Sequence, residues 1–223
     1  MSISPTISQI HYLAQAFYES ALLLSEKCEQ IENNIHDKHP LYGKMIAEHR
    51  ASFFCSIFNC TSALESRINE TYVNVAENAN THPEFTGIFG DKIGLIKDLW
   101  NMDIPKAQGY SALEKYQFML VICGKEKFDL GKPVYQDVAA LIKLRNALIH
   151  YQPEWIEISG PSKSKIKQHK LELLLKGKFK ASPLYAASLP FFPMRIIGSS
   201  CAKWACNTIH NFTGEFKRKL ETT

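Results

Sequence analysis

The chain has 223 residues, room for one domain with an appended piece and for a core that needs no disulfide or metal staple. Hydrophobic residues at 45% and charged residues at 22% exclude wholesale disorder, and 11 Gly with 10 Pro, fewer than usual, favour long helices over many short strands. The formal net charge of +4 admits a polyanionic partner without requiring one.

The opening stretch MSISPTISQIHYLAQAFYES lacks a basic n-region, a continuous apolar core and a small-residue cleavage site, so no signal peptide is expected. Residues 7–35 follow a helical rhythm, with Ile10, Leu13, Phe17, Ala21, Leu24, Cys28 and Ile31 spaced by three or four. After the break at Pro40, a long helix is predicted from Tyr42 to Ala79, with Ile46, Phe53, Ile57, Leu64, Ile68 and Tyr72 as its apolar stripe. A short helix is expected at Asp91 to Asn101 and another over 111–123, stopped at Gly124. From Pro133 a helix runs through VYQDVAALIKLRNALIHY with Leu141, Leu144 and Leu148 as its seam, and Pro153 requires an end nearby. A Pro-interrupted loop around 188–193 precedes a last amphipathic helix from Ser199 to Leu220. The longest apolar run, Phe118 to Cys123, is far short of a membrane span, so a cytoplasmic protein without membrane association is expected. Cys28, Cys55, Cys60, Cys123, Cys201 and Cys206 show no C-x-x-C and no framework spacing, and read as reduced apolar residues; the pairs 55/60 and 201/206 look like core filler.

Charge divides along the chain. Residues 1–120 hold 9 Lys/Arg against 14 Asp/Glu, whereas residues 121–223 hold 17 against 8. Within the second half, 161–180 carries seven lysines and the single acid Glu172. Such a stretch suits a phosphate backbone, with Lys163, Lys165 and Lys167 as candidate RNA contacts together with Lys143, or is a solvated face.

The segment LIKLRNALIHY (141–151) carries the chemistry. At about 100° per residue, Asn146 and His150 share a helix face that Lys143 continues, while Arg145 lies about 140° from His150. Convergence of Arg145 and His150 therefore needs a wrapping arginine, a relaxed helix end before Pro153, or a second copy across a two-fold axis. Such residues suit RNA cleavage without metal. Histidine can relay protons near neutrality, arginine can grip a phosphate in the transition state, and asparagine can orient the phosphate or the 2′-hydroxyl. Use of that hydroxyl as nucleophile would confine the activity to RNA.

The R-N-x-x-x-H arrangement on a late helix of an all-helical chain resembles the HEPN superfamily (higher eukaryotes and prokaryotes nucleotide-binding). The stretch 113–155, with the FFP and C-x-x-W pieces at Phe191 to Pro193 and Cys201 to Trp204, is similar to a group of bacterial HEPN-like proteins. The resemblance implies an all-α HEPN-like bundle with long antiparallel helices and an additional C-terminal helix. Its HEPN-like core would occupy 1–155, with the lysine-rich segment and the C-terminal helix packed on it over 156–223. It further implies a homodimer that brings two motifs to one cleft, and a metal-independent endoribonuclease working without cofactor. The setting would be phage defence or a toxin–antitoxin pair with an antitoxin or other regulatory protein as partner. Arg145 and His150 would be the catalytic pair with Asn146 beside them, and Glu65 with Asn69 on ALESRIN (63–69) would support the site. The same likeness admits a non-catalytic dimer that binds nucleotide, RNA or a protein. From the residues alone, His150 could be a capping histidine and Arg145 could pair with Glu65. His36-x-x-His39, followed at once by Pro40, reads as loop histidines rather than a metal site. No nucleophile elbow, P-loop or Rossmann fingerprint is present.

Overall fold

A computed structural model of the chain describes residues 10–36, 39–78, 87–104, 110–153 and 169–222. Among these residues there is no strand, and the main helices are α1 (Ala14–Asn34), α2 (Tyr42–Asn78), α3 (Ile93–Asn101), α4 (Ala112–Ile122), α5 (Pro133–Ile149), α6 (Lys170–Leu175) and α7 (Ser199–Glu221). The protein is all-α, and no helix among the described residues is long and apolar enough to cross a membrane.

The spine is α2, whose 37 residues span about 55 Å at helical rise. Its stripe of Phe53, Ile57, Leu64, Ile68 and Tyr72 is at most 1% exposed, each side chain contributing up to roughly 1.5–3 kcal/mol by leaving water. Polar contacts at three levels set α1 antiparallel to α2. Glu70 accepts from the backbone N–H groups of Leu13 and Ala14 (2.7 and 2.8 Å), the Ser56 hydroxyl donates to the Ala21 carbonyl (2.9 Å), and His49 meets Glu32 (2.9 Å). Parallel to α2 runs α7, with Ser199 on Glu32, Cys206 Sγ 3.6 Å from Cys60 Sγ, and Phe212 and Phe216 edge-on to Tyr116 (ring centroids 5.0 and 4.7 Å). The Tyr116 hydroxyl, fully buried, donates to the Leu64 carbonyl (3.0 Å), so its burial leaves no orphaned polar group. Inside this frame α5 buries Val138, Leu141 and Leu144, and one hydrophobic core runs from Ala21 to Leu220, drawing on residues either side of position 155.

Local chemistry explains most boundaries. A capping box starts α4: Glu114 N–H donates to Ser111 Oγ (3.3 Å) and Ser111 N–H to the Glu114 carboxylate (2.7 Å). Beyond its end, Gly124 takes a φ of +67°, which a side chain would disfavour. Pro133 opens α5 at a position whose N–H has no helical partner in any case. Two expectations need correction, and one element is added. The first helix begins at Ala14, leaving Ile10 and Leu13 43% and 54% exposed, because the Glu70 carboxylate takes the Leu13 and Ala14 amides and caps the helix there. Cys55 is exposed while Cys28, Cys60, Cys201 and Cys206 are buried, because Cys55 lies about 140° around α2 from Cys60, on the side of that helix that faces solvent. The lysine-rich stretch contains the short helix α6, whose Leu171 and Leu175 are buried.

Candidate functional site

The end of α5 carries the motif. Leu141 and Leu144 hold the helix to the core, so Lys143, Asn146 and His150 lie on its open side and are exposed. His150 is the C-cap, with φ −103° and ψ 34°, and its backbone N–H reaches the Asn146 carbonyl (2.9 Å). The backbone has left helical geometry at this cap, three residues ahead of Pro153, whose ring disfavours helix in the residue before it. The His150 N–H still makes the helical bond to Asn146, so the offset of about 140° from Arg145 is that of a regular helix.

Arg145 sits half-buried on the flank of α5. Its Nε is buried without a hydrogen-bond partner, and its guanidinium makes no hydrogen bond or ion pair among the described residues. A buried donor left unmatched costs about 1–3 kcal/mol. Glu65 is exposed and also has no partner among the described residues, so the Arg145–Glu65 pair is not formed. Asn69 is engaged elsewhere: its side-chain oxygen accepts from the buried Lys115 ammonium (3.0 Å), and it borders a hollow of about 220 Å³ with His11, Tyr12 and Glu70. That hollow lies where α1 begins, whereas α5 ends beside Phe192, on the approach to the start of α7. The start of α7 docks near His49, about 30 Å back along α2 from Asn69. Within one chain, Asn69 therefore does not join Arg145 and His150. Of the candidate RNA-contacting lysines, Lys143 is exposed, and Lys163, Lys165 and Lys167 lie outside the described residues. Lys178 is paired with Asp137, which anchors the lysine-rich stretch to α5.

Aromatic residues that the motif reading does not single out surround the end of α5. Tyr151 stands 45% exposed with its ring 6.4 Å from that of Phe192, at 60°. On Phe192, itself buried, the His169 ring is stacked at 4.5 Å and 24°. His169 caps α6, its Nδ1 accepting from Leu171 N–H (3.1 Å), and the Glu172 carboxylate accepts from Phe192 N–H (3.2 Å). The sequence signal for this corner is an aromatic residue directly after the motif histidine, together with the FFP piece.

A second polar cluster joins Glu32, His49 and Ser199. The Glu32 carboxylate accepts from His49 Nε2 (2.9 Å), Ser199 N–H (2.7 Å) and the Ser199 hydroxyl. Acid, histidine and serine are present, but both partners bind the same carboxylate. Nothing activates the hydroxyl as a nucleophile, and His49 is fully buried. Burial would raise the Glu32 pKa, yet the hydrogen bonds from His49 and Ser199, with the His49 charge, hold it below the usual value. Among the described residues no group of three or more His, Cys, Asp or Glu could hold a metal ion; His36 and His39 meet edge-on (5.4 Å), and His39 Nδ1 accepts from Leu41 N–H. No family model matches the chain, and no curated protein or solved structure matches it.

Proposed function

We propose that the protein is a HEPN-like, metal-independent endoribonuclease. The observation that carries this reading is the Arg145 guanidinium, which makes no hydrogen bond or ion pair among the described residues and lies less than two helical turns from the exposed His150. In the proposed reaction His150 takes the proton of a ribose 2′-hydroxyl, whose oxygen attacks the adjacent phosphorus. The bond to the 5′-oxygen breaks, leaving a 2′,3′-cyclic phosphate and, after protonation, a 5′-hydroxyl end. Arg145 meets the charge that grows on the phosphoryl oxygens, and Asn146 orients the phosphate or the hydroxyl. Lys143 and the lysines Lys163, Lys165 and Lys167 supply the electrostatic attraction to RNA. A two-fold homodimer would set two motifs across one cleft, in a cytoplasmic protein restrained by an antitoxin or other regulatory protein during phage defence or toxin–antitoxin control.

The test is incubation of the pure protein with RNA in EDTA. Cleavage with 2′,3′-cyclic phosphate ends is expected, and a substrate with a 2′-deoxy sugar at the cut site should resist. RNA that binds but stays intact would replace the nuclease with the nucleotide- or RNA-binding module. Light scattering should give a dimer at micromolar concentration; a monomer would remove the two-motif cleft.

A further inference from the structure

We propose that Tyr151 and His169 form a subsite for one unpaired nucleobase beside the Arg145–His150 motif, an inference that rests on the nuclease reading for its place next to the cut. Tyr151 is the residue after His150, and it remains substantially exposed although it packs edge-on against the buried Phe192. A large aromatic face left open next to a proposed phosphate site suits base stacking, which tolerates any base. His169 reaches the same Phe192 from the start of α6 and is fixed twice, by its stack at 4.5 Å and by Leu171 N–H on its Nδ1 at 3.1 Å.

The second contact sets the chemistry. A ring nitrogen that accepts a backbone N–H is unprotonated, so the hydrogen of the neutral ring sits on Nε2. His169 is then a directional, uncharged donor. It cannot serve as a proton acceptor through Nε2 in this state, and it lacks the charge that would favour a phosphate. Its complement is an acceptor on the edge of the base that carries purine N7 or uracil O4, where cytosine offers its amino donor instead. Arg145 is left to the phosphate. Stacking on Tyr151 gives affinity, and the His169 donor gives preference among bases.

The experiment uses the full chain and short homopolymers of A, C and U with 2′-fluoro sugars, which lack the attacking hydroxyl, so binding is read apart from cleavage. Fluorescence anisotropy should show A and U bound more tightly than C, which meets the His169 donor with an amino group. Tyr151→Leu should weaken binding about tenfold to a hundredfold, the range for one stacked base, and Tyr151→Phe should restore it. His169→Asn keeps a good helix cap and should bring the three affinities together. Equal affinities for all three, or a Tyr151→Leu protein that binds like the wild type, would overturn the subsite. Base-dependent binding without cleavage of natural RNA would leave the subsite standing and defeat only the nuclease reading.

Discussion

Two polar clusters of this bundle contain a histidine, and they are built on opposite plans. Around Glu32 the carboxylate takes three donors, His49 is sealed from solvent, and the contacts tie the end of α1 to the starts of α2 and α7. At the end of α5, Arg145 and His150 have no side-chain partner among the described residues, and His150 stands in solvent. The Glu32 carboxylate is saturated even though the buried His49 Nδ1 has no partner, whereas the Arg145 guanidinium makes no hydrogen bond or ion pair among the described residues. The first cluster is a clasp, and the second is left open.

The largest expected effect separates stability from activity at Arg145. Arg145→Met removes the unmatched buried donor and keeps the apolar stem, so the protein should melt at or above the wild-type temperature while cleavage falls about 10²- to 10³-fold. Parallel thermal melts and RNA cleavage rates check this; a large loss of stability would make Arg145 a structural residue like those of the clasp. Arg145→Lys should also be badly impaired, because it loses the planar fork.

Glu32→Ala should do the reverse. It leaves His49 and two donors of Ser199 buried and unmatched, for a loss of about 3–5 kcal/mol in urea unfolding, with the remaining folded protein still cutting RNA. A smaller effect of the same kind is expected at Gly198, where a Cβ would stand 2.8 Å from both the Glu32 carboxylate and Ser182 Cβ. Gly198→Ala should cost about 1–3 kcal/mol by the same measurement. The clasp also has a pH signature. Because the folded Glu32 pKa is lowered, the unfolded chain binds more protons as acid is added. Its contribution is complete above the ordinary glutamate value of about 4.3 and is lost as pH falls through the depressed value. Melting temperature should therefore drop on acidification, with a shallower slope in Glu32→Gln.

The helices were legible because their apolar spacing is regular: Phe53, Ile57, Leu64, Ile68 and Tyr72 mark α2, and Pro133 and Gly124 mark boundaries that single residues enforce. The end of the helix that carries Arg145, Asn146 and His150 was legible from Pro153. The clasp was not, because Glu32, His49 and Ser199 are far apart in the chain and only the packing of α1, α2 and α7 unites them. The resemblance put Asn69 beside Glu65 on one helix face, but a face does not fix the neighbour, which is Lys115. His169 was hidden for a similar reason: a run dense in lysine masks the two buried leucines that make it the cap of α6.

The most direct test of the central claim is the cleavage rate of His150→Ala on RNA in EDTA, measured beside its melting temperature. His150 is exposed and caps the helix through its backbone, so the variant should melt like the wild type while cutting about 10²- to 10⁴-fold more slowly. A His150→Ala protein that is well folded and cuts RNA at the wild-type rate would contradict the account.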